Sequence, residues 1–236
     1  MCGIVGLFIK NPEIEKNLGK YLSKMLIEMT ERGPDSTGVA IYRDAVGSGS
    51  AKLTLLAPDS DYSWEALNLN LGVTFGDDYE LNLQCDQAVL KVLTNAASAQ
   101  TWVSERHPEL RINATGEAIE IFKAKGTPAR FVEKFNLGSY HGSHALGHTR
   151  MATESAVTTE HSHPFSTGAD LCLVHNGSLS NHNQLREELL REGITFQTDN
   201  DSEVAAGYLA WRMREGDSLE TSLKNALSDL DGFYTF

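Results

Sequence analysis

Positive charge is scarce in this chain. Twenty lysines and arginines stand against 32 acidic residues, a formal charge of −12 over 236 residues. A duplex-binding protein presents a basic surface, so this balance argues against nucleic acid as a partner, and equally against an anionic membrane surface. Long apolar runs are missing too: none approaches the ~18–20 residues that a spanning helix needs. The opening MCGIVGLFIK has no basic leader before its apolar stretch and no secretory cleavage pattern. The three cysteines, Cys2, Cys85 and Cys172, cannot all pair. That argues against a disulfide-stapled secreted scaffold and fits a reducing cytoplasm. There is no P-loop, no dinucleotide fingerprint and no iron–sulfur cysteine spacing. What is present is 41% hydrophobic and 22% charged. This suffices for a packed core, in one domain or one domain carrying a sizeable insertion.

Local patterning predicts mixed elements. Gly3–Ile9 reads as a buried strand, and Glu13–Thr30 as an amphipathic helix with Leu18, Leu22, Met25, Leu26 and Met29 at helical spacing. The run ERGPDSTG, residues 31–38, is a loop dense in Gly and Pro. Strands are expected at Val39–Arg43, Lys52–Leu56, within Glu80–Thr94, at Ala118–Lys123 and at Asp170–His175. Asn176-Gly177 is the strongest short signal for a tight hairpin turn. Trp64–Leu71 reads as a short helix or loop, and helices are expected at Ala96–Glu105, Pro128–Asn136, Asn183–Arg191, Asp201–Arg214 and Ser218–Leu230, with a final strand from Gly232. Strands at both ends with helices between them suggest an α+β or layered α/β/β/α fold. Cys85 and Cys172 sit on strand-like segments and are expected to be small buried hydrophobes. His141, His144 and His148 are close in sequence, but Gly138, Gly142 and Gly147 break the helix that would cluster them, so no metal site is expected.

Cysteine at position 2 carries chemistry. Removal of Met1 would leave Cys2 with both a thiol and a free α-amine. A thiol needs a base to become a nucleophilic thiolate, and an α-amine of pKa ~7.7–8 can take that proton. Cys2-Gly3-Ile4-Val5-Gly6 is followed, in order, by Arg32-Gly33-Pro34-Asp35-Ser36-Thr37-Gly38, by Gly147-His148-Thr149-Arg150-Met151-Ala152-Thr153, by Val174-His175-Asn176-Gly177 and by Asp201-Ser202-Glu203-Val204. Five motifs in this order resemble the class II, N-terminal-nucleophile glutamine amidotransferases.

The resemblance implies a four-layer αββα sandwich and hydrolysis of L-glutamine to glutamate, with ammonia passed to a synthase. By that register Cys2 is the nucleophile, and Asn176 and Gly177 supply the oxyanion hole. Arg150 takes the substrate carboxylate, since a planar guanidinium matches it best. Asp201, rather than Asp199, takes the ammonium, although helix N-capping by either aspartate is an alternative. Thr153 and His163 are implied to line the pocket, with Arg32 and Asp35 as support. Met151 departs from the aromatic residue that many members carry after the arginine.

Residues 45–140 separate motifs that compact members hold closer together, and are expected to form an inserted α/β subdomain for docking. The whole of residues 1–236 is expected to be one type-2 amidotransferase domain, incomplete at its C-terminus. The segment from His148 to Ser155 resembles stand-alone glutamate-synthase-like subunits, the amidotransferase subunit of N-methylglutamate synthase above all. In such assemblies separate subunits carry the flavin and iron–sulfur groups, so no cofactor is expected in this chain. Two other readings stay open: an N-terminal-nucleophile amidase of other specificity, and a non-catalytic scaffold with the same fold.

Overall fold

β-Branched and apolar residues begin immediately after Cys2, so the first strand forms at the very start of the described chain. The computed structural model describes residues 2–152 and 156–236. The elements are β1 (Gly3–Phe8), α1 (Leu18–Glu28), β2 (Ser36–Tyr42), β3 (Ala51–Leu56), α2 (Glu65–Phe75), β4 (Tyr79–Gln84), β5 (Gln87–Val92), α3 (Ala96–Arg106), β6 (Arg111–Gly116), β7 (Ile119–Lys125), α4 (Pro128–Lys134), β8 (His144–Arg150), β9 (Phe165–Gly168), β10 (Leu171–Leu173), β11 (Asn176–Leu179), α5 (His182–Arg191), α6 (Asp201–Arg214), α7 (Leu219–Asp229) and β12 (Gly232–Thr235).

The first sheet is antiparallel with order β1-β8-β2-β7. Strand alternation sends Val39, Ile41 and Phe122 to one face, where Leu18, Leu22 and Leu26 of α1 and Phe131 of α4 close over them. The opposite face carries Ala40, Ile119 and Ile121, which meet Ala114 of β6 and Cys172 of β10. Beyond that face lie two short antiparallel pairs, β9 with β10 and β11 with β12. Phe165, Leu173 and Leu179 of this layer pack against Leu185, Leu189, Val204, Tyr208 and Leu209 of α5 and α6. The succession is helix, sheet, strand pairs, helix: the expected αββα order.

A second four-stranded antiparallel sheet, β4-β5-β3-β6, carries its own core, in which Leu53, Leu55 and Leu90 pack against Leu67 and Leu71 of α2 and Val103 of α3. Buried charge ties it to the first sheet. Glu120 of β7 receives Lys52 Nζ of β3 at 3.1 Å and the Arg43 guanidinium at 2.8 Å.

Several expectations need correction. The helix expected over Glu13–Thr30 starts only at Leu18. A 3-10 turn, Pro12–Asn17, precedes it, with the Asn11 side chain accepting from Glu13 N. β1 is only partly buried, because it is an edge strand whose other side finds no partner among the described residues. Asn176-Gly177 is no hairpin turn. It opens β11, which pairs with the distant β12, Gly177 opposite Tyr234. Cys85 is exposed in the β4–β5 turn at φ 58°, its thiol donating to Lys134 O. Cys172 is half-buried against the Tyr42 hydroxyl. β6 and β9 carry too few apolar residues to be read from local patterning.

Candidate active site

The pairing of β1 with β8 sets Gly3 opposite Thr149, so Cys2 comes level with Arg150. The residue 31–38 loop is folded onto the same end. A Cβ on Gly33 would collide with the Thr149 carbonyl, so only glycine lets the loop lie this close. Asp35 then fastens the strand exit: its N–H donates to Arg150 O at 3.0 Å, and its Oδ2 accepts from Ala152 N at 2.8 Å. Arg32 stands exposed on the preceding 3-10 turn. Cys2 is partly exposed, its Sγ 3.8 Å from Met151 O.

Cys2, Arg150, Gly177, Asp199 and Asp201 line one cavity of about 370 Å³. Asn176 stands in the chain between the lining residues His175 and Gly177, its Nδ2 donating to the Cys2 carbonyl at 3.3 Å. A carboxamide nitrogen carries two hydrogens, so one remains for an incoming oxyanion. Gly177 sits at φ 145°, and a Cβ there would collide with Phe233 O of β12. The residue must therefore be glycine on both conformational and steric grounds.

Arg150 is 5% exposed. Burial pulls its guanidinium below the ordinary value, while Cys2, Asp35, Asp201 and Asp199 oppose that shift. One nitrogen donates to Ala156 O at 3.0 Å. On the other wall, α6 begins with its N-terminus toward the cavity. Its cap is Asn200, whose Oδ1 accepts from Ser202 N at 2.9 Å. Neither aspartate serves as the cap, which disposes of that alternative. Asp201 Oδ2 accepts from Leu179 N at 3.0 Å, and Oδ1 receives Ser202 Oγ at 3.3 Å. Asp199 is turned outward onto His161 Nε2 at 2.7 Å, which holds its carboxyl below the ordinary range. The two acids are thus separated by their partners: one faces the cavity supported by backbone, the other is held by the His161 imidazole.

His163 does not line this cavity, contrary to expectation. It is buried behind it, its ring stacked on His148 with centroids 4.0 Å apart. Its Nδ1 accepts from His175 N at 3.1 Å, so the imidazole holds the Val174–Gly177 segment in place. Burial drives its pKa well down, and the nearby His148, His175, Lys123 and Arg150 push the same way. Thr153 lies outside the described residues. His175 is a lining residue that sequence reasoning left without a role, although it sits inside a recognised motif. Its Nδ1 lies 2.7 Å from Ser202 Oγ, and burial lowers its pKa against the pull of Asp201. Met151, Ser178, His182, Asn183, Asn200 and Ser202 complete the wall. Among the described residues no group of three or more His, Cys, Asp or Glu side chains could hold a metal ion.

Comparison with known proteins agrees with this geometry. A family model described as "Glutamine amidotransferase domain" matches residues 136–236. The glutamine amidotransferase-like protein GlxB of Rhizobium meliloti (strain 1021) is 49% identical over 237 residues, covering 100% of this chain and 78% of that protein. The glutamine–fructose-6-phosphate aminotransferase (isomerizing) of Thermococcus kodakarensis is 33% identical over 125 residues, 52% of this chain and 21% of that protein. A solved structure titled as the allosteric regulatory enzyme of purine biosynthesis superposes with a TM-score of 0.50 at 21% identity, covering 99% of this chain and 33% of that one, a likeness of fold.

Proposed function

The chain belongs to the class II glutamine amidotransferases, and from that premise we propose that it hydrolyses L-glutamine at Cys2 and passes the ammonia to a separate synthase subunit. The observation that carries this reading is one cavity faced by Cys2, Arg150 and Asp201 together. A thiol at one wall, a guanidinium at its edge and a carboxylate at the head of α6 match the amide, carboxylate and ammonium of one small amino acid.

In the reaction the α-amine of Cys2, freed by loss of Met1, takes the thiol proton. The thiolate adds to the amide carbon. The oxygen, gaining charge, is met by Asn176 Nδ2 and the Gly177 N–H, and removal of one such donor typically costs ~2.7–4 kcal/mol in the barrier. Collapse breaks the C–N bond, and the leaving nitrogen departs as ammonia with the proton held by the amine. Water then cleaves the thioester and releases glutamate. Asp35 and Arg32 support the loop beside the nucleophile, and Thr153 faces substrate in this reading.

At the finer level, the His148–Ser155 segment supports a glutamate-synthase-like assembly of the N-methylglutamate synthase type. Within residues 45–140, β7 and α4 belong to the first sheet and its core, so the β4-β5-β3-β6 sheet with α2 and α3 is the part that docks the partner, and flavin and iron–sulfur groups reside in the partner subunits. Among the described residues no helix is long and apolar enough to cross a membrane.

Glutamate release from glutamine tests the activity. Cys2→Ala is expected to abolish it while leaving ammonia-dependent synthesis by the assembled complex intact. Intact mass is expected to show one methionine lost. Hydrolysis of simple amides in preference to glutamine would instead establish the general amidase.

A further inference from the structure

A cavity of about 550 Å³ opens between β6, β9, the start of α3 and residues 193–198. At its floor is Lys123 of β7, only 4% exposed. Its backbone is fixed by Gln87, whose Oε1 accepts from Lys123 N at 3.2 Å and whose Nε2 donates to Lys123 O at 2.7 Å. Its ammonium has no such partner. Nζ lies over the Phe165 ring at 4.4 Å and, among the described residues, makes no hydrogen bond or ion pair. A buried ammonium left so is costly, and burial pulls it down to about 8.

The other charges around the cavity are already engaged. Glu203 accepts from Gln197 N, Thr198 N and Thr198 Oγ1 at 2.6 to 2.8 Å. Glu160 is held by Thr158 and drawn down further by Arg111 and His161. Arg111 donates to Gln197 O at 3.2 Å. Glu203 and Glu160 favour the charged form of Lys123 from across the cavity, but neither carboxylate forms an ion pair with its Nζ.

We propose that this cavity is a binding site for a small organic carboxylate, whose carboxylate pairs with Lys123 Nζ and whose stem lies along Ile112, Phe165, Ile194 and Phe196. A carboxylate is favoured over phosphate because Glu160 and Glu203 both face the space. One negative charge is balanced by Lys123, whereas a dianion would meet two carboxylates with one free cation. The wall built by residues 193–198 continues directly into Asp199–Asp201 of the Cys2 cavity. The site does not depend on the glutaminase reading, because its test reads binding itself.

Isothermal titration of the full chain at neutral pH with acetate, butyrate and pentanoate, and separately with inorganic phosphate, tests it. Saturable binding of at least one carboxylate is expected. It should fall by roughly tenfold or more in Lys123→Met, as loss of a hydrogen bond to a charged group requires. Ala210→Phe leaves Lys123 in place and fills the space from α6, so it should lose binding as well. Melting temperature and glutamine hydrolysis serve as controls for folding in both variants. No saturable binding of any of the three carboxylates, unchanged binding in a folded variant, or a preference for phosphate would overturn the assignment.

Discussion

Arg150 and Asp201 hold opposite ends of one zwitterion in the proposed reaction, and each can be replaced by a side chain of similar size. Arg150→Lys keeps the charge but loses the paired parallel donors that a carboxylate accepts. Asp201→Asn keeps the shape and the bond from Leu179 N while removing the countercharge to the substrate ammonium. Hydrogen bonds to charged groups contribute ~1.5–3 kcal/mol, so each change is expected to lower kcat/KM for glutamine by roughly 10- to 150-fold. Steady-state kinetics decide between this and a structural role. A specificity constant within about twofold of the parent would remove that residue from the head-group contacts.

At the scale of elements, the site depends on ends and edges. β1 delivers Cys2, β8 delivers Arg150, and the cap formed by Asn200 leaves Asp201 free to face the cavity. The same scale governs how the second sheet is joined. Glu120 of β7 is 2% exposed and takes both Lys52 and Arg43, and Lys52 also donates to Arg43 O at 2.7 Å. Removing one partner of a buried ionic group leaves uncompensated charge, typically a loss of ~3–5 kcal/mol. Glu120→Ala is therefore expected to lower the urea midpoint sharply. The double change Glu120→Leu with Lys52→Met should recover much of it, since the fully buried charges are then gone and the remaining Arg43 is partly exposed and faces Asp44. A single variant as stable as the parent would show that the joint carries no such dependence.

For the whole molecule, acid sensitivity is built into the imidazoles behind the site. Burial lowers His148 to about 3, with the His175 ring and Arg150 pushing the same way. His163 is driven well down, and His144 and His175 are lowered as well. An unfolded histidine binds its proton near pH ~6.5, whereas these native ones resist it. The unfolded state thus holds more protons below that value, and stability falls as pH drops. The full contribution is present above about pH 6.5 and declines by roughly 1.4 kcal/mol per pH unit for each strongly lowered histidine below it. Melting temperature should drop between about pH 7 and 5, ahead of most carboxylate titration. His163→Gln should be less stable at neutral pH and show a shallower decline. A melting temperature flat across that window would contradict the linkage.

Much of this protein is written locally. The order of five motifs carries the family, the thiol at position 2 carries the chemistry, and α6 falls on Asp201–Arg214 as its pattern predicts. These features depend on neighbours within a few residues, through helical periodicity or through functional groups that must be of one type. What local pattern does not reach is pairing across long stretches of chain. Asn176-Gly177 looks like a hairpin turn until β12 arrives to make it a strand, and β1 reads as buried until the sheet order leaves it at an edge. His163 reads as a pocket residue until stacking on His148 puts it behind the wall. Lys123 reads as an ordinary strand lysine, yet the packing of β6, β9 and the segment before α6 encloses its ammonium. Residue type sets which chemistry is available here, but burial and charge compensation are settled only when distant segments close over a side chain.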